Sequence, residues 1–169
     1  DLPLDQLVAG AETLVLDTGA LVRSDELRAV PTSITTTLAN IDAVLAELPE
    51  RDEPLTVFHE IDESFYTATS NSFIGQVYSA MGLENIADPH DDGTGFPLID
   101  GETIIAANPD VIVYTTQAPY DAAEIAARPG WESISAVTND RIVEVEADIA
   151  SRWGPRIVEF MEAIAETVV

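Results

Sequence analysis

The apolar positions of this chain change period near residue 55. Before that point the spacing is helical. Leu4, Leu7, Val8, Ala11, Leu14 and Val15 recur at helical intervals over residues 2–16. Residues 17–33, broken by Asp17-Thr-Gly19 and Pro31, carry no firm period. From Thr35 to Leu48, residues Leu38, Ile41, Val44, Leu45 and Leu48 form one stripe, which predicts an amphipathic helix ended by Pro49. Residues 49–54 read as a polar connector.

Beyond it, strand and helix patterns alternate. Leu55 to Ile61 is rich in β-formers. Ser72 is placed to cap a helix carrying Phe73, Ile74, Val77, Tyr78 and Met81, stopped near Gly82. Residues 88–97 read as loop. Asp100 can cap a short helix through Ala107, stopped before Pro109. Val111–Tyr114 has the apolar run of a buried strand, 121–127 is helical in composition, and Arg141–Val145 is another strand. Gly154-Pro155 opens a last helix whose inner face is Ile157, Val158, Phe160, Met161, Ile164, Ala165 and Val168. This order predicts an α/β domain, a three-layer α/β/α lobe with a mainly parallel sheet over residues 55–169, preceded by a helical segment over residues 1–54.

Composition narrows the functions open to such a domain. There are 31 acidic residues against 7 basic ones, all arginine, for a net charge of −24. Nucleic acid and anionic lipid both require a basic footprint, so neither is a partner. The scattered carboxylates describe a solvated acidic surface on a folded domain. Without cysteine there are no disulfides, thiolate metal sites or cysteine nucleophiles. No stretch reaches the roughly 18 uninterrupted apolar residues of a membrane helix, and Asp1-Leu-Pro-Leu is not the start of a signal peptide.

In open α/β sheets ligands bind beyond the C-terminal strand ends. That selects the loops at residues 62–66, 115–120 and 147–153. They hold Phe65, Tyr66, Gln117, Tyr120, Arg152 and Trp153: rings to stack on, a cation, and amide groups. Such a set suits a large flat or chelated ligand. Tyr66 and Tyr120 either face it or close the edge of the core. Arg152-Trp153, in an arginine-poor chain, points to a ligand-facing role.

Other constellations are weaker. His59 lies in a strand, and His59-Glu-Ile-Asp-Glu63 is not a zinc-protease motif. The run Asp88-Pro-His-Asp-Asp92-Gly93 has Ile99 where a helix-loop-helix calcium loop needs glutamate. There is no lysine for a phosphate loop and no nucleophile elbow. A small acidic α/β enzyme, using carboxylates or a divalent cation at Asp88, His90, Asp91 or Asp92, is the alternative reading.

Three phrases in order carry a resemblance. They are Tyr66-Thr-Ala-Thr-Ser-Asn-Ser-Phe-Ile-Gly75, then Asn108-Pro-Asp-Val-Ile-Val113, then Arg128-Pro-Gly-Trp131 leading through Asp140-Arg-Ile-Val143 to Ser151-Arg-Trp-Gly-Pro-Arg156. The chain resembles, over residues 55–169, the C-terminal lobe of the substrate-binding proteins of ABC importers for ferric siderophores, haem and vitamin B12. The resemblance implies a binding protein without enzymatic turnover, a metal-chelate ligand that brings its own metal, and no cofactor or protein metal ligands. It implies an extracytoplasmic protein, anchored at the membrane or cell surface through a segment outside this chain. It further implies that Glu102, seven residues before Pro109-Asp110, docks on arginines of an ABC permease. Members have two lobes joined by a long helix with ligand between them. Here one lobe is recognisable, and residues 35–48 correspond to the end of the joining helix. Trp153 departs from the family pattern, which carries a small residue or proline there.

Overall fold

The computed structural model describes residues 26–147 and 156–168, with side chains from residue 36 onward. The expected helix over residues 2–16, the Gly154-Pro155 helix start, and the site candidates Arg152 and Trp153 lie outside the described residues.

Helix α1 runs Glu26–Glu47, so it begins upstream of Pro31 rather than after it. A proline inside a helix removes the i→i−4 hydrogen bond of its own position, and the helix runs through Pro31 nonetheless. Its last turns carry the predicted stripe into a core: Val44 is buried, with Ile41, Leu45 and Leu48 packed beside it.

Four strands follow: β1 (Thr56–Glu60), β2 (Glu84–Asn85), β3 (Val111–Thr115) and β4 (Ile142–Val145). They form one sheet in the order β2-β1-β3-β4, and every pair is parallel. Parallel neighbours require crossovers. These are supplied by α2 (Phe73–Ala80) between β1 and β2, α3 (Gly101–Ala107) before β3, and α4 (Ala122–Ala126) with α5 (Ser135–Thr138) between β3 and β4. Helix α6 (Ile157–Val168) follows β4.

The caps are those the sequence sets. Gly75 N–H donates to Ser72 Oγ at 3.0 Å, and Thr103 N–H to Asp100 Oδ1 at 2.7 Å. Asp121 and Glu124 form a reciprocal capping box on α4. Asn108 ends α3 in the left-handed region.

Because strand side chains alternate, each strand feeds two cores. On one face Val57, Val111, Val113, Val143 and Val145 meet α2 and α6 through Ile74, Val77, Tyr78, Phe160, Met161 and Ile164. On the other, Phe58, Ile112 and Tyr114 meet Ile104, Ile125, Trp131 and Ile134. The result is the predicted α/β/α layering. All seven predicted inner-face residues of α6 are buried. Strand β2 was not predicted; two residues are too few to show a period.

Candidate functional site

β1, β3 and β4 end together at Glu60, Thr115 and Val145. Just beyond them, a cavity of about 340 Å³ opens, lined among others by His59, Ile61, Phe73, Ile74, Phe96 and Gln117.

The backbone leaving β1 builds one wall. Ile61 N–H donates to Tyr66 O at 2.9 Å, Thr67 N–H to Pro97 O at 3.1 Å, and Thr69 N–H to Gly95 O at 2.9 Å. Residues 66–69 are thus tied to the 95–98 loop. That pairing holds four large apolar side chains in water: Ile61 at 39% exposure, Tyr66 at 44%, Phe96 at 48% and Leu98 at 57%. A patch of this kind at a strand-end cavity is the usual mark of a contact surface.

Phe65 and Tyr66 part company at this turn. Phe65 has φ +66°, a strained conformation for a bulky side chain. It sends Phe65 inward to stack on Trp131, with ring centroids 5.8 Å apart, while Tyr66 faces solvent.

The same turn covers an ion pair in which the carboxylate is buried and the guanidinium half-buried. Glu60, at 1% exposure, accepts from both terminal nitrogens of Arg128 at 2.5 and 2.7 Å. Phe65, Tyr120 and Trp131 surround the guanidinium, with centroids 5.5, 5.0 and 4.6 Å from its carbon. Desolvation pulls the arginine down in pKa, but the Glu60 contacts outweigh it. Tyr120 also stacks on Tyr114, and its hydroxyl is buried beside this pair without meeting hydrogen-bond geometry. Burial first, then Glu60, pushes that phenol up.

On the opposite side of the sheet lies His59, 4% exposed, at the cavity floor. Its Nδ1 sits 2.7 Å from Tyr78 Oη. Burial lowers its pKa from 6.5 to about 4, so the imidazole is neutral at pH 7.

The predicted residues therefore divide. Gln117 lines the cavity and Tyr66 is exposed at the loop beside it. Phe65 and Tyr120 turn to Arg128 and the second core. Glu102 is exposed in the first turn of α3. Sequence reasoning gave no cavity role to His59, Ile61, Phe73 or Phe96. The available signals were His59 as a polar residue inside an apolar strand and Phe96 within a Gly/Pro loop.

The cation site of the alternative reading is not built. Asp91 Oδ1 accepts from Gly93 N–H at 2.9 Å and Gly95 N–H at 3.0 Å, and its Oδ2 from Thr69 Oγ1 at 2.9 Å and Asn71 Nδ2 at 2.5 Å. These bonds, led by Asn71, hold Asp91 down to about 2. Asp88 accepts from Ser70 N–H and Oγ at 2.8 and 2.7 Å. Both carboxylates thus staple the 69–71 turn to the loop that carries Phe96. Among the described residues, no group of three or more His, Asp or Glu side chains is set to hold a metal ion.

A profile of the periplasmic binding protein family matches residues 8–149, most of the chain. The chain belongs to that family. Members similar to it include an uncharacterised ABC transporter substrate-binding lipoprotein of Bacillus subtilis (strain 168), 34% identical over 125 residues. That match covers 73% of this chain and 38% of the relative. A cobalamin-binding protein of Halobacterium salinarum is 30% identical over 131 residues, covering 74% of this chain and 35% of the relative. Among solved structures, a "possible" iron-binding (periplasmic solute-binding) protein of Staphylococcus epidermidis superposes with a TM-score of 0.71 at 27% identity. It covers 86% of this chain and 57% of that one. The chain thus spans little more than a third of the curated family members it matches. These relatives are named for binding and transport. Among the described residues no helix is long and apolar enough to cross a membrane.

Proposed function

We propose that this chain is the C-terminal ligand-binding lobe of an ABC-importer substrate-binding protein for a metal chelate: a ferric siderophore, haem or cobalamin. It binds and delivers its ligand and performs no turnover. The observation that carries the reading is the strand-end cavity lined by exposed Ile61 and Phe96, with Tyr66 and Leu98 exposed on the paired segments at 66–69 and 95–98. Large ligands with apolar faces are held by such surfaces, with a few polar groups to orient them. Gln117 supplies one such group, and Arg152 and Trp153, which follow β4 in the sequence, supply a cation and a ring to the same ligand. Tyr66 stacks on the ligand. Phe65 and Tyr120 act from behind, by fixing the loops that meet it.

Residues 35–48, which carry the last turns of α1, are the end of the helical connection between lobes. The protein works outside the cytoplasm, anchored at the membrane or cell surface. Glu102, exposed at the start of α3, docks on a basic surface of the permease, where a rim charge sets encounter rate and orientation.

The test is a tryptophan-fluorescence titration of the longest native form with cobalamin, haem and a panel of ferric siderophores. Saturable quenching by one class, weakened in Phe96→Ala and Trp153→Ala, supports the proposal. If a folded sample responds to no member of the panel, the reading is lost.

A further inference from the structure

His59 and Tyr78 form a closed pair whose protons can be placed. Tyr78 is fully buried, and among the described residues its hydroxyl has one hydrogen-bond partner, His59 Nδ1. A buried phenol O–H without an acceptor costs a full desolvation penalty, so the hydroxyl donates and Nδ1 accepts. Burial keeps the Tyr78 phenol far above its ordinary pKa, so it does not give the proton up. The imidazole is likewise held neutral by burial. A neutral ring that accepts at Nδ1 carries its single proton on Nε2. His59 is also one of the residues lining the strand-end cavity.

We infer that His59 is a specificity-determining residue of this cavity: its Nε2–H donates a hydrogen bond to an oxygen acceptor on the buried edge of the ligand. This rests on the ligand-binding reading of the cavity. The protonated Nε2 has no lone pair to offer a metal. The cavity floor therefore selects ligands by a carbonyl, carboxylate or hydroxamate-type oxygen rather than by coordinating the chelated ion. The surroundings offer few polar contacts besides His59: only Thr115 and Gln117 among the described lining residues. The other side chains lining the cavity, among them Ile61, Ala68, Phe73, Ile74 and Phe96, are mainly apolar. A ligand oxygen placed there without a donor would stay unsatisfied.

Long-range ¹H–¹⁵N correlation of the ligand-free, longest native form at pH 7 tests the proton placement, with His59 distinguished from His90 by the His59→Gln variant. The expected result is the Nε2–H tautomer, unchanged down to about pH 5. An Nδ1–H tautomer overturns the inference. The binding arm uses whichever panel ligand quenches the wild type. His59→Gln, which retains a donor, is expected to bind within roughly threefold of wild type, and His59→Phe about tenfold more weakly. Equal affinity of the two variants overturns the inference while leaving the binding-protein reading intact. Should His59→Phe not fold, a downfield shift of the wild-type Nε2–H on ligand addition takes its place, and no shift overturns the inference. Should no panel member bind the wild type, the proposed function fails and this inference fails with it, whatever the tautomer.

Discussion

Glu60 and His59 are neighbours on β1, both buried and both polar, yet their two sides of the sheet are finished in opposite ways. On the Glu60 side the polar group is closed off: a bidentate arginine, three rings around it, and a stacked tyrosine beyond. On the His59 side one nitrogen is satisfied by Tyr78 and the ring borders an open cavity. The lesson is that burial alone does not identify a binding residue. What separates the two is whether the protein has already saturated the group.

That contrast can be broken, and the largest effect is expected at the ion pair. Arg128→Leu leaves the Glu60 carboxylate buried without its partner, and should cost about 3–5 kcal/mol in chemical denaturation. The double variant Glu60→Leu/Arg128→Leu should recover most of that loss, because neither charge then needs solvation. A double variant as unstable as the single one would show that the guanidinium matters mainly for packing among the rings.

His59 gives the next effect, through pH. Its pKa is about 4 in the folded protein against an ordinary 6.5, so the unfolded chain binds the proton first as pH falls. Stability contributed by the neutral ring is therefore complete above about 6.5 and lost as pH drops toward 4. The full traverse corresponds to roughly 3 kcal/mol. Denaturation midpoints should fall across this window in the wild type and flatten in His59→Gln. An identical slope in both would remove the proposed neutral imidazole.

The smallest of the three sharpens the open side. Helix α2, which brings Phe73 and Ile74 to the cavity, approaches the 66–69 segment so closely that a Cβ on Gly75 would lie 2.0 Å from Thr69 O. Both partners are backbone, so neither can swing aside. Gly75→Ala should cost roughly 1–3 kcal/mol in thermal or chemical unfolding. It should also weaken ligand binding by moving the Phe73–Ile74 wall. Unchanged stability would mean that α2 can slide on that segment.

How much of this was legible beforehand depended on the range of the interaction. Ser72, Asp100 and the inner face of α6 are local signals, three to eleven residues in extent, and they fixed their elements. The parallel order followed from strand-helix alternation. What composition and spacing could not show was that Arg128 lies on Glu60, 68 positions away in sequence. For that reason Tyr120, reasonable as a ligand ring from its loop, is turned toward the arginine instead. The aspartates of residues 88–92 similarly looked like cation donors, because their hydrogen-bond donors lie around residues 69–71. Pro31 misled in the other direction: a strong local punctuator lost to the helix around it.

The alternation of His59 and Glu60 also bears on how the chain finds its fold. β1 pairs with β3 by setting His59 beside Val113 and Glu60 beside Tyr114. Slipping β1 by one residue would turn every side chain to the other face. The carboxylate would then meet Tyr78, and the imidazole would meet a guanidinium already enclosed by rings. An all-valine strand would have tolerated that error. Two adjacent polar residues with incompatible partners therefore specify the register, because a sheet misaligned by one residue would bury an unpaired carboxylate and an unpaired imidazole.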